Sequence, residues 1–274
     1  MTNPRRSKTS SAASLSFSES TPTERYSLTA TSTPSALARS ASAPRPPTEP
    51  AAIGSPLLLV NLKAYPGHLG PGAERTARWL EELGKARGVA VAIAPAMPDL
   101  ARVAAAVAIP VLAQHVDPLD AGPHTGFVPP EAVRMAGGWG SLVNHSEHPL
   151  STVDVRDVVG RLHALGLTAV VCGRSVATVR RLGQIRPPYL AIEPPELIGG
   201  DRAVSTTRPE VVTGAVEAVR AVSNSTRVLC GAGIHDRRDV ARALELGTAG
   251  VLVASAVARA TDPRAAIEEL LSGY

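Results

Sequence analysis

The sequence predicts a (β/α)₈ barrel, an α/β domain of eight parallel strands ringed by helices, behind a disordered N-terminal extension. From Pro56 onward, eight short strand-forming runs alternate with eight helical patterns over about 220 residues. Several of the runs are continuously aliphatic, as strands covered on both faces are. The runs also end in chemically useful residues, and the C-terminal strand ends of such a barrel open onto one face, where residues distant in sequence meet. Length alone, 274 residues, would suggest two domains, but single barrels of this kind commonly reach about 250 residues. An open doubly wound sheet is the alternative, although no G-x-G-x-x-G opens the helix after the first strand.

The strands are expected at 57–63, 89–94, 110–115, 140–144, 168–172, 189–193, 227–231 and 250–254. The helices between them are expected at 72–86, 97–107, 130–136, 152–165, 175–184, 208–222, 235–246 and 262–271. Capping chemistry agrees: Pro98-Asp99, Ser151-Thr152-Val153-Asp154 and Pro209-Glu210 mark N-termini, and Gly137, Gly166 and Gly247 follow helix ends. The barrel domain is therefore assigned to 53–274 and the extension to 1–52. Residues 1–50 hold 27 Ser, Thr or Pro and few large apolar side chains, too little to offset the entropy of ordering. Arg5-Arg6 is similar to the start of a twin-arginine signal, but no apolar core of about 7–15 residues comes after it. A mis-assigned start or a dispensable extension is expected instead.

Charge and cysteine usage narrow the function classes. The net charge is +4, and residues 1–52 carry six Arg or Lys against three Glu. The body from Ile53 balances 22 basic against 21 acidic residues, so nothing electrostatic points to nucleic acid or a membrane surface as partner. No apolar run approaches the roughly 20 residues that span a bilayer. Cys172 and Cys230, each ending an apolar run, fit a reduced compartment better than a disulfide scaffold. A cytoplasmic location is expected.

The candidate site residues lie at strand ends. Lys63 is one of only two lysines in the body, and with Asn61 it ends the first strand. A lysine there needs a partner or an anionic ligand, unless its ammonium simply reaches solvent at the rim. Asn144-His145-Ser146-Glu147 ends the fourth strand, where a neutral imidazole can donate to a carbonyl oxygen. The plainer reading is a histidine bonded to backbone. A metal site from His145, Glu147 and His148 has no recognised ligand spacing, so no metal is expected. Glu193 ends the sixth strand, where partial desolvation raises a carboxyl toward general-base range. Glu196, in the loop beyond, is the competing base. Pro194-Pro195 stiffens the chain before Ile198-Gly199-Gly200-Asp201, which reads as a lid. Gly231-Ala232-Gly233 and Ala254-Ser255 end strands seven and eight, where small residues let backbone N–H groups approach an anion.

These segments, VNLKAYPG, AQHVDP, GPHTGFVPPEAV, VNHSE, AIEPPELIGG, VLCGAGI and VLVASAVARA, stand in the order they take in triosephosphate isomerases. From about Pro56 to Leu271 the chain resembles that TIM-barrel family, specifically its compact archaeal-type branch. The resemblance implies an isomerase of D-glyceraldehyde 3-phosphate and dihydroxyacetone phosphate that uses no cofactor. It implies Lys63 as the cation beside Asn61, His145 as electrophile and Glu193 as the proton-shuttling base. The family is itself the well-known case of that glutamate–histidine pairing under a closing loop. Ile198, Gly233, Ala254 and Ser255 would cradle the phosphate. His124-Thr125-Gly126 resembles the family's interdigitating contact, which implies a homodimer or homotetramer. Two departures stand out. The family usually continues HSE with arginine, whereas this chain has His148-Pro149, so a structural ion pair is expected to be missing or rebuilt. The lid usually reads IGTG and here reads IGGD, a change expected to lower the rate or shift substrate preference. A tetrulose phosphate substrate, or a non-catalytic phosphosugar-binding barrel, are the alternatives.

Overall fold

Runs such as Leu57-Leu58-Leu59-Val60 have no polar face to offer water, so a strand built from them must be covered on both sides. In the computed structural model, which describes residues 53–197 and 203–274, they are. Eight strands form: β1 (Leu57–Asn61), β2 (Ala90–Ala94), β3 (Leu112–Ala113), β4 (Gly140–Val143), β5 (Thr168–Gly173), β6 (Tyr189–Ile192), β7 (Arg227–Cys230) and β8 (Gly250–Val253). The order in the sheet is β2-β1-β8-β7-β6-β5-β4-β3, and every pairing is parallel. A parallel bridge between Ile93 and Val111, with Ile93 N–H donating to the Pro110 carbonyl at 3.1 Å, joins the two outermost strands. The sheet is therefore closed, and the open doubly wound alternative is overturned.

Alternation along each strand sorts the side chains into two cores. Leu57 and Leu59 point into the barrel with Ala92, Ala94, Leu112, Leu142, Val170, Cys172, Tyr189, Ala191, Leu229 and Leu252. Their neighbours Leu58, Val60, Ile93, Val171, Leu190 and Val251 point outward into the layer beneath the helices. The helices of that layer are α1 (Pro71–Arg87), α2 (Leu100–Ala106), α3 (Pro130–Met135), α4 (Thr152–Ala164), α5 (Val176–Gly183), α6 (Val204–Thr207), α7 (Pro209–Arg220), α8 (Arg237–Glu245), α9 (Ser255–Ala258) and α10 (Pro263–Leu271). Gly137, Gly166 and Gly247 lie just past helix ends at φ 82°, 71° and 90°, the left-handed region where a Cβ is strained.

All eight strands and eight of these helices fall where the sequence places them. The differences are local. Pro110, which has no N–H to give, sits just ahead of a third strand only two residues long. The segment 97–99 is a 3-10 turn, and the Asp99 carboxylate accepts from Gly70 N–H at 2.8 Å instead of capping α2. Ser151 does cap α4, accepting from Asp154 N–H at 3.1 Å. The short helices α6 and α9 are too brief to leave a 3.6-residue period in the sequence. The expected extension 1–52 and the expected lid residues 198–201 lie outside the described residues. Among the described residues, no helix is long and apolar enough to cross a membrane.

Candidate active site

Inward register carries the site residues to one mouth of the barrel. Continuing the inward positions Leu57 and Leu59 by two brings Asn61 to the top of β1; continuing Tyr189 and Ala191 brings Glu193 to the top of β6. A single pocket is lined by Asn61, Lys63, His145, Glu193, Gly233, Ala254 and Ser255, together with Tyr65, Gly231, Ile234, Leu252 and Val253. The residues given catalytic or phosphate-binding roles from the sequence are thus brought together, except Ile198, which lies outside the described residues, while the competing base Glu196 stays apart.

Glu193 is buried to 3 % exposure, and its Oε2 has no hydrogen-bond partner. Burial pushes its carboxyl up to about 7, while the Cys172 thiol and the Lys63 ammonium beside it offset part of the rise. Gly231 is what makes room for it. Ala191 pairs with Leu229 and Ile192 with Cys230, so Glu193 stands level with Gly231 on the inward side. A Cβ on Gly231 would fall 2.5 Å from Glu193 Cγ, so any larger residue would displace the carboxyl. Glu196, the competing base, is exposed and held by Arg208 Nη1 at 2.6 Å, and it does not line the pocket.

His145 Nε2 lies 3.9 Å from Glu193 Oε1. Its Nδ1 accepts the N–H of Glu147 at 3.2 Å, which fixes the ring as a neutral tautomer with the proton on Nε2, aimed at the pocket. Burial, and then the Lys63 charge, lower its pKa and keep it neutral. The histidine can therefore donate without carrying charge.

Lys63 takes an uncommon backbone conformation, φ 49°, which costs a non-glycine residue roughly 1–3 kcal/mol. Hydrogen bonds hold it on both sides. Its N–H donates to Asn61 Oδ1 at 3.0 Å, and its carbonyl accepts from Gln114 Nε2 at 3.0 Å. The ammonium pairs with Glu147 Oε1 at 2.7 Å, the lysine side chain being 17 % exposed and the glutamate 60 %. Glu147 thus sets the histidine tautomer through its backbone and the lysine position through its carboxylate. Opposite this trio, Gly233, Ala254 and Ser255 present small residues, and the first N–H groups of α9 lack intrahelical acceptors. That wall suits an anion.

Sequence reasoning missed three contributors. Gln114 also donates to the Ala94 carbonyl at 3.0 Å, bracing β2 against the Lys63 turn. Cys172 was legible only as an apolar strand residue, although its inward register places it beneath Glu193. Tyr65, a few residues past the end of the first observed strand, gave no signal at all. At the departure from the family pattern, the His148 ring does not line the pocket; it stacks on His115 with centroids 3.5 Å apart.

The family model described as Triosephosphate isomerase matches residues 56–270. A protein named triosephosphate isomerase from Methanosarcina acetivorans is 42 % identical over 219 residues, covering 80 % of this chain and 99 % of that one. One of the same name from Methanothermus fervidus is 45 % identical over 217 residues, 79 % of this chain and 98 % of its own. Another from Caldivirga maquilingensis is 45 % identical over 215 residues, 78 % and 96 % respectively. The matched residues 56–270 hold all eight strands and the pocket at their ends, and the chain belongs to the triosephosphate isomerase family.

Proposed function

We propose that the protein interconverts D-glyceraldehyde 3-phosphate and dihydroxyacetone phosphate, with Glu193 as base, His145 as electrophile and Lys63 as the cation. The observation that carries this reading is the 3.9 Å approach of His145 Nε2 to Glu193 Oε1 in a pocket also lined by Lys63. A three-carbon substrate placed with its phosphate against Gly233, Ala254 and Ser255 presents its two reactive carbons to that pair. Glu193 removes a proton from the carbon next to the carbonyl. Negative charge then grows on the carbonyl oxygen, where the Nε2–H of His145 and the Lys63 ammonium meet it. A neutral donor is well matched to an enediolate, because it need not give up its proton outright at neutral pH. A proton passes from the neighbouring hydroxyl to the former carbonyl oxygen, and Glu193, now carrying the carbon-bound proton, returns it to the neighbouring carbon.

The relatives favour the three-carbon substrate over a tetrulose phosphate, and a full lysine–histidine–glutamate set would be idle in a non-catalytic barrel. A coupled assay tests the reading: wild type turns over glyceraldehyde 3-phosphate, and Glu193→Gln loses about 10²–10⁴-fold in kcat, the usual worth of a positioned base. Undiminished turnover in that variant refutes Glu193 as base. For assembly we favour a homodimer or homotetramer, because Phe127, beside His124-Thr125-Gly126, exposes 55 % of its surface on the projecting loop after β3. A cytoplasmic location is the reading two buried free thiols support.

A further inference from the structure

Beside the pocket, and separate from its chemistry, three ligand-type side chains meet between two strand ends. His115 and Asp117 lie just past β3, and His148 lies past β4 in the turn that also carries His145 and Glu147. Asp117 is held in place through its own loop: its Oδ2 accepts from Val128 N–H at 2.7 Å, and its backbone N–H donates to the Val128 carbonyl at 2.8 Å. Its Oδ1 is hydrogen-bonded to His115 Nε2, 3.2 Å away. The two imidazoles lie 3.5 Å apart with planes 8° from parallel. One ligand atom from each residue can be chosen so that all three lie within 4.8 Å of one another, and this is the one such trio of His, Cys, Asp or Glu among the described residues.

These spacings suit one ion. Two ligands bound about 2.1 Å from a metal at a tetrahedral angle lie ~3.4 Å apart. The carboxylate-to-imidazole distance of 3.2 Å is close to that value, and the three ligand atoms all lie within 4.8 Å of one another. Only the parallel stack must give, since each ring nitrogen has to aim its lone pair at a shared point. His148 is the exposed member, and a rotation of its side chain opens the stack without moving buried atoms. His115, the buried member, keeps one ring proton by carrying it on Nδ1 while Nε2 ligates.

We propose that His115, Asp117 and His148 bind a divalent transition metal of the zinc or cobalt class, with the remaining position open to water. Two imidazoles and one carboxylate select that class over magnesium or calcium, which prefer all-oxygen sets. The ion clamps the segment after β3 to the turn after β4. That turn is already closed by His148 N–H donating to the His145 carbonyl at 2.8 Å, so the clamp fixes the far end of the backbone that orients His145. The metal takes no part in proton transfer, and neither His145 nor Glu147 ligates it. Sequence reasoning weighed His145, Glu147 and His148 as a trio; in space the His148 ring pairs instead with His115, 33 residues earlier.

The test uses the untagged full chain, stripped with a chelator and titrated with Co²⁺ alone and then Zn²⁺ alone. One equivalent of cobalt should bind with a tetrahedral-type visible spectrum that zinc abolishes. At a hundredfold excess over the dissociation constant, the thermal midpoint should rise by ~5–10 °C. His148→Arg, which restores the family's usual residue at an exposed position, should fold normally without metal and bind at least ~100-fold more weakly, beyond the range for losing a supporting group. Asp117→Asn should keep the loop contact and weaken binding in the same way. Glu193→Gln should bind as wild type does, which separates this outcome from the fate of the isomerase reading. Affinity no tighter than millimolar, or binding undiminished in both His148→Arg and Asp117→Asn, overturns the site.

Discussion

Replacing Glu193 with glutamine should stabilise the protein in base while cutting its turnover by about 10²–10⁴-fold. The folded state holds the Glu193 carboxyl at about 7, against 4.5 for an ordinary glutamate, because the group is buried with one oxygen unpartnered. A carboxyl raised in the folded state binds its proton more tightly there than in the unfolded chain. Its contribution to stability is therefore fully present below about pH 4.5 and is lost as pH rises through about 7. At about 1.4 kcal/mol per unit, the loss between pH 5 and pH 8.5 comes to ~2.5 kcal/mol, a sizeable share of a typical folding free energy. Glutamine does not titrate and keeps the shape. Urea unfolding of wild type and Glu193→Gln, at one protein concentration so that assembly is held constant, measures the difference. The stability of the variant relative to wild type should climb by ~2.5 kcal/mol from pH 5 to pH 8.5, and wild-type kcat/KM should fall about tenfold per unit below pH 7. A difference between the two proteins that stays flat with pH to within ~0.5 kcal/mol would refute the claim that folding desolvates this carboxyl.

Substitutions at two further positions probe the geometry around it. Gly231→Ala would set a Cβ 2.5 Å from Glu193 Cγ, and a displacement of that order should cost about 100-fold in kcat with little change in KM, read by steady-state kinetics. Lys63→Gly and Lys63→Ala should both be inactive, yet the glycine variant should be the more stable by ~1 kcal/mol on denaturant titration, because only alanine keeps a Cβ strained at φ 49°.

The barrel was legible because each strand announces itself twice, once as an aliphatic run and once by the polar or small residues at its C-terminal end. Leu57 to Val60 shows both: four buried positions, then Asn61 and Lys63 where the run ends at the mouth. Glu193 was legible for a related reason, since a carboxylate directly after Leu190-Ala191-Ile192 has nowhere exposed to go. The contacts that escaped depend on two strand ends lying side by side. Gln114 braces Lys63 across 51 positions, and Cys172 reaches Glu193 through the register of β5 against β6. No period in the sequence encodes either.

The same blindness explains His148. Read along the chain, it is a residue out of place after His145 and Glu147, and the natural inference is a lost ion pair. Read across the barrel mouth, it meets His115 and Asp117, and the vacated arginine position becomes the third corner of a ligand set. Parallel barrels make this kind of change easy: adjacent strand ends lie close together, so one substitution in a rim turn can create a three-residue site if its neighbour already supplies two members. His115 and Asp117 were already positioned by the loop that Val128 closes, which is why a single histidine suffices here.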